Sequence, residues 1–174
     1  MKDAKFSVDI SAGSMGVSGE DVVEFSFAPN MGEPPRSLAR CASGGELSRV
    51  LLVLKVVLNQ IHHPDVQIFD EIDVGVGGAT AQVIGKKLRE VSECSQVIAI
   101  THSPQVASYA NLHANVFKET DGNRTYSKIN ILDKDSRVSE VARMLAGKKV
   151  SLGFEKGARE LIEAATRDVS SKVI

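Results

Sequence analysis

The sequence has no tryptophan, and only two tyrosines and six phenylalanines among 174 residues. It therefore carries little for a surface that grips nucleic acid by stacking bases on aromatic rings. Cysteine is almost as scarce. Cys41 and Cys94 make neither a disulfide framework nor a metal-ligand pair by spacing, and they read as reduced thiols of a cytoplasmic protein. No apolar run approaches the roughly 20 residues of a membrane-spanning helix; the longest, residues 50–58, is broken by Lys55, so no membrane partner is expected. Met1-Lys2-Asp3 leads into alternating residues rather than an apolar leader. A net charge of −1 provides no basic footprint for nucleic acid, although a neutral total can contain a local patch. A phosphate-binding loop of the Gly-x4-Gly-Lys-Ser/Thr kind is also missing. Gly13, Gly16 and Gly19 are followed by no Gly-Lys-Ser/Thr and no helical pattern, and Gly85-Lys86 is followed by Lys87 inside a helical stretch.

What is present centres on residues 66–78, VQIFDEIDVGVGG. Val66, Ile68 and Phe69 suit a buried strand of a parallel sheet, which stops at Asp70-Glu71 and a glycine-rich turn. Residues 96–101, QVIAIT, form a second strand ending at His102. Between them Val83, Ile84, Leu88 and Val91 fall on one helical face, so the unit reads strand, crossover helix, strand, with parallel strands. Asp70, Glu71 and His102 then share the carboxyl edge of one sheet, where open α/β sheets bind ligands.

The length suits one domain, residues 1–174, with roughly 70% of the unfolded surface buried. Phe6, Val8 and Ile10, then Val23, Phe25 and Phe27, alternate with polar neighbours and predict two strands joined by a glycine-rich turn over residues 12–21. Residues 28–42 hold three of the five prolines and read as a loop. Ser43 with Glu46 forms a capping box before an apolar stripe of Leu47, Val50, Leu51, Leu54, Val57, Leu58 and Ile61. Gly44 and Gly45 leave the first-turn amides of that helix open, an arrangement suited to an anion. Ser103 and Pro104 start a short helix reaching Ala110. Residues 114–118 and 125–132 predict a hairpin across Asp121-Gly122-Asn123, and helices over residues 137–146 and about 153–167 close the chain. Met144 and Leu145 read as core.

Chemically, a carboxylate at Asp70 could hold Mg²⁺ with waters retained, Glu71 could take a proton from an attacking water, and His102 could sense a terminal phosphate. Their structural alternative is a pair of solvated carboxylates and an ordinary histidine at strand ends. Arg36, Arg40 and Arg49 near residues 43–46 read as solvated cations. A different chemistry, a metal-dependent hydrolase, would draw on His62, His63, Asp65 and Asp70, although consecutive histidines in a loop point different ways.

Taken together, ASGGELSR at residues 42–49, VQIFDEIDVGVGG at 66–78 and ITHSPQVA at 100–107 resemble the signature motif, the Walker B with D-loop, and the switch histidine of ABC-type ATPase heads. The DEID form, together with FAPNMGEPPRSLARCASGGELSR and RVSEVARMLAG at 137–147, resembles bacterial DNA-repair members of the SMC-like branch. The resemblance extends from about Phe6 to Ala165. It implies an α/β fold, a partial P-loop NTPase head lobe of the ABC/SMC type, with a parallel sheet, flanking helices and β-hairpins. It implies ATP and Mg²⁺ as cofactors, with Asp70 on the metal, Glu71 as general base and His102 on the γ-phosphate. Ser43, Gly44, Gly45 and Glu46 would reach nucleotide held by a second head, and Asp73, Gly75, Gly77 and Gly78 would form the D-loop, with Gly77 where many such proteins carry an aspartate. Implied partners are an N-terminal half bearing Walker A, a second head and DNA, in the cytoplasm or at the nucleoid. This chain is then expected to be a trailing half-head, inactive alone. A non-catalytic module that docks on a Walker A half is the rival reading.

Overall fold

A computed structural model describes residues 4–28, 30–40, 44–58, 61, 64–147 and 150–170, apart from the side chains of Glu46 and Ser170. The chain divides into two compact units, Met1–Leu47 and Ser48–Ile174.

In the first unit, β1 (Lys5–Gly16) and β2 (Gly19–Ala28) form an antiparallel hairpin, and β2 also pairs with the two-residue β3 (Arg36–Ser37), ahead of a 3₁₀ turn at Leu38–Arg40. The strands run further than the alternating residues predict. The glycine-rich stretch is mostly ladder, with a register shift between Ala12 and Gly16 and Gly19 at φ 100° after the turn. Gly13 is required there, because a Cβ would sit 2.6 Å from Cγ2 of Val22. Cross-strand pairing puts Phe6 opposite Phe27, Val8 opposite Phe25 and Ile10 opposite Val23, so the six alternating apolar residues share one face. Phe6 and Phe25 stack with centroids 5.7 Å apart.

The second unit contains the predicted parallel pair. Strand β4 (Val66–Asp70) lies beside β5 (Gln96–Ile100) in register Asp70 to Ile100, and the crossover is α2 (Gly78–Val91). Helix α1 (Gly44–Leu58) contributes Leu52 to a core with Phe69, Ile72, Ile84, Leu88, Val91 and Val106. Three expectations are corrected here. Val66 and Ile68 are 47% and 66% exposed, whereas Gln67 and Phe69 are buried. An unbroken apolar strand implies helices on both faces, but helical cover is described on one face only. Gln67 sits on that covered face, where its amide donates to the hydroxyl of Ser95 at 3.2 Å. Likewise Leu47, Leu51, Val57, Leu58 and Ile61 are exposed, and Leu52, off the predicted stripe, is buried instead. Val83 is also exposed, since the buried face of α2 runs through Ala81, Ile84, Gly85, Leu88 and Val91.

Helix α3 is only Pro104–Ala107, short of the predicted Ala110. The Ser103 hydroxyl caps nothing; it bonds to Oε1 of Gln105 at 2.9 Å. Strands β6 (Ala114–Asp121) and β7 (Arg124–Ile131) form the predicted hairpin. Helix α4 (Lys134–Ala146) begins earlier than predicted because Asp133 accepts from the amide of Ser136 at 2.8 Å, and it ends at Gly147, φ 72°. It packs on α5 (Leu152–Ser170) through Val138, Val141, Ala142 and Ala158, with Leu145 partly buried against them. Met144 is half-buried. The Arg137 guanidinium donates to the carbonyls of Ala107 and Ser108 at 3.3 and 2.9 Å, tying α4 to the end of α3. The Tyr109 hydroxyl donates to Asp168 at 2.7 Å, tying the same segment to α5. Among the described residues no helix is long and apolar enough to cross a membrane.

Gly85 is where α2 and α3 meet most closely: a Cβ would stand 2.6 Å from the Tyr109 ring and 3.2 Å from backbone atoms of Gln105 and Val106. Gly85→Ala should therefore destabilise the second unit by about 1–3 kcal/mol despite improved helix propensity, read as a lower midpoint in chemical denaturation. His113 supplies a pH test. Burial first, then the nearby Arg137 charge, holds its pKa below 6.5. The unfolded chain thus binds the proton more readily, and stability is full above the unfolded pKa and lost as pH falls through it. Unfolding free energy measured from about pH 7.5 to about pH 5.5 should decline, and His113→Asn should flatten that slope.

Candidate functional site

The site grows from the carboxyl edge of the β4–β5 pair. Asp70 closes β4 on the uncovered face of the sheet, and Glu71 turns the chain at φ 51°, a left-handed conformation that costs roughly 1–2 kcal/mol for a residue with a side chain. Both side chains lie in exposed residues, and neither makes a hydrogen bond or ion pair among the described residues. The turn then buries Ile72 completely and continues through Gly75, φ 71°, to Gly77, whose carbonyl accepts from the Ala81 amide at 3.0 Å as α2 begins.

Asp73 is the residue that assembles this edge. Its side chain is fully buried, and Oδ2 accepts from the Thr101 hydroxyl and from the Ser103 amide, the latter at 3.1 Å. The Ser103 amide also donates to the Thr101 hydroxyl oxygen at 2.9 Å. His102, between those two partners, is held with Nδ1 3.9 Å from Asp73 Oδ2, and its ring is 75% exposed. Oδ1 of Asp73 is buried without a hydrogen-bond partner. A buried carboxylate thus clamps the turn after β4 to the end of β5, and His102 projects from the clamp into solvent. The parallel register puts Asp70, Glu71 and His102 at one edge of the sheet, as the two-strand reading expects. The clamp itself is not foreseen: Asp73 enters only through the resemblance, which groups it with Gly75, Gly77 and Gly78 as the D-loop. An aspartate between two apolar residues, followed thirty residues on by Thr-His-Ser, is the signal that a bonded carboxylate would leave.

Gly44 and Gly45 open α1 in the first unit, and a Cβ at Gly44 would meet nothing within 4 Å, so its backbone is open to approach. Ser43, Cys41, His62 and His63 lie outside the described residues, as does the side chain of Glu46. Among the described residues no cluster of three or more His, Cys, Asp or Glu could hold a metal unaided. Arg36 and Arg40 are exposed and Arg49 is half-buried. Gly78 lies against the Gln105 side chain, where a Cβ would stand 3.3 Å from Nε2.

No family model matches the sequence. Curated relatives do. The chain is 47% identical over 152 residues to DNA repair protein RecN of Treponema pallidum, covering 87% of this chain and 26% of the relative. It is 44% identical over 147 residues to RecN of Bacillus subtilis, 84% and 26%, and 39% identical over 167 residues to RecN of Vibrio cholerae, 95% and 30%. The chain therefore spans little more than a quarter of the length of these relatives, in their C-terminal part. In fold it is similar to the Smc head domain with a coiled coil and joint from Pyrococcus yayanosii, at TM-score 0.62, 21% identity, 79% of this chain and 25% of that one. An Smc head domain from Pyrococcus furiosus gives TM-score 0.55 at 20% identity, over 80% of this chain and 34% of that one. The α/β head-lobe architecture is thus that of SMC ATPase heads.

Asp73→Asn tests the clamp. It removes the charge that receives two donors and places an amide in a site built for an acceptor. The expected loss is about 1–3 kcal/mol in unfolding free energy, with hydrogen exchange accelerated at Ser103; unchanged exchange there would mean that the amide is held by other means.

Proposed function

We propose, from a chain whose sequence matches the C-terminal part of DNA repair protein RecN over 84–95% of its length, that it is the trailing part of an ATPase head. It would supply the water-activating and phosphate-sensing side of ATP hydrolysis in DNA double-strand-break repair. The observation that carries this reading is the edge of the parallel pair that ends in Asp70, Glu71 and His102, where the buried Asp73 bonds the residues on both sides of His102.

The residues fit a hydrated Mg²⁺ with ATP. Asp70 and Glu71 are exposed carboxylates with no protein cation among their described partners, the oxygen donors a hard cation takes while keeping waters. When bound, Mg²⁺ would neutralise charge on the transferring phosphoryl group. Asp70 is the residue to hold the ion's hydrated shell. Glu71, one residue beyond the strand and free of ion pairs among the described residues, would take a proton from an attacking water. His102 would donate to a terminal phosphate oxygen, its backbone kept in place by the bonds from Thr101 and Ser103 to Asp73. Ser43, Gly44, Gly45 and Glu46, at the amide-bearing start of α1, would bind the phosphate of nucleotide held by a second head. Asp73, Gly75, Gly77 and Gly78 would then be the turn that faces it.

The phosphate cradle must come from elsewhere, since the sequence contains no Walker A. Support for an N-terminal partner half lies in the β4–β5 sheet, whose uncovered face presents Val66, Ile68, Ile98 and Ile100, each 45–66% exposed. The DNA role rests on the relatives alone.

In the complete protein, Glu71→Gln should lower ATP turnover by about 10²–10⁴ while ATP binding is retained. Steady-state hydrolysis measured beside nucleotide affinity checks it. Unchanged turnover would remove the base role and favour a docking module that uses this edge for binding only.

A further inference from the structure

A second candidate site lies inside the Ser48–Ile174 unit, away from the edge just described. Between α2, the segment after α3, α4 and α5 there is a cavity of about 340 Å³, lined among others by Arg89, Ser108, Tyr109, Asn111, Arg137 and Thr166. Its size is at the lower end of small-molecule pockets. Two arginines line it from different helices, and both are half-buried. Neither forms an ion pair among the described residues. The Nε of each is sealed from solvent without an acceptor. Arg137 spends only Nη2, on the carbonyls of Ala107 and Ser108. Carboxylates on the same three helices are engaged elsewhere: Glu90 with Lys87, Glu140 with Arg143, and Asp168 with Tyr109 and Lys86.

Two half-buried cations with no counter-charge are unfavourable by themselves, and an anion between them would offset that cost. The Ser108 and Thr166 hydroxyls direct their protons to the carbonyls of Pro104 and Ile162, so they add no donor. The donors available are the remaining guanidinium N–H groups and the Asn111 amide. One fork satisfies one carboxylate; the terminal fork of Arg89 together with Nη1 of Arg137, from separate helices, suits a tetrahedral oxyanion with several terminal oxygens. We infer that this cavity binds a small phosphate-bearing ligand, inorganic phosphate or the phosphate of a mononucleotide, through Arg89, Arg137 and Asn111. Because Arg137 also holds the end of α3, and α3 directly follows the His102–Ser103 segment, occupancy would brace the elements behind the switch histidine.

The test is titration of the 174-residue chain with sodium phosphate, and separately with a nucleoside monophosphate, at constant ionic strength, followed by backbone amide NMR. Saturable shifts should be confined to residues 89, 108–111, 137 and 165–169. Arg89→Gln, at a side chain with no hydrogen bond among the described residues, and Asn111→Ala should keep the spectrum folded and weaken binding roughly tenfold to a hundredfold for the arginine and less for the asparagine. Tighter binding of the nucleoside monophosphate with the same Arg89 dependence would identify a phosphoester as the source, and equal binding would identify free phosphate. No saturable shift, shifts confined to residues 44–47 or 70–75, or affinity indifferent to Arg89→Gln would overturn the inference. Failure here leaves the ATPase reading untouched, because that reading is judged on turnover at Glu71.

Discussion

The second unit depends on one buried charge. Asp73 sits at the carboxyl end of a two-stranded parallel pair, where nothing in the strand ladder holds the chain beyond Asp70 and Ile100. Its carboxylate takes the Thr101 hydroxyl and the Ser103 amide, and so ties two segments about thirty residues apart into one edge. A buried carboxylate survives only where donors replace its water. That requirement explains why Thr101 and Ser103 flank the histidine. It also explains why His102 can be three-quarters exposed and still have a fixed backbone. Functional side chains are more precise when packed and bonded neighbours hold them; here the group left to solvent is the ring alone.

The same unit shows how one-sided cover organises chemistry. The layer of α2 residues Ile84, Leu88 and Val91 buries Phe69 and half-buries Val97 and Ala99. The opposite face keeps Ile68, Ile98 and Ile100 open, and Asp70 shares that face by the two-residue period of the strand. The carboxylate proposed for metal binding and the apolar surface proposed for a partner half are therefore consequences of one strand register. A slip of one residue would bury Asp70 and expose Phe69.

Behind the edge, α3 is short and is held by its neighbours as well as by its own hydrogen bonds. Arg137 from α4 receives no carboxylate among the described residues and instead caps the carbonyls at the end of α3, while Tyr109 reaches Asp168 on α5. Burial, and then the Asp168 carboxylate, raises the Tyr109 pKa, so its hydroxyl keeps the proton it donates across the neutral range. Gly85 permits the close approach of α2 that completes this arrangement. The glycine that fails as part of a phosphate loop is a packing residue.

What the sequence determined by itself was local order and motif. Strand alternation identified the first hairpin and the Asp121-Gly122-Asn123 turn the second, the apolar run ending in Asp70-Glu71 identified the edge, and the spacing of Val83, Ile84, Leu88 and Val91 identified the crossover helix. These follow from short-range periods that any chain must obey. Tertiary structure decided which faces were covered. Val66, Ile68, Leu51 and Val83 are apolar and on period, yet exposed, because burial depends on whether another element arrives, and a period carries no record of that. Leu52 and Gln67 are buried for the same reason. It likewise decided Asp73. Its role needs Thr101 and Ser103 at hydrogen-bonding distance, and that distance is set only when the parallel pair and its helix have packed.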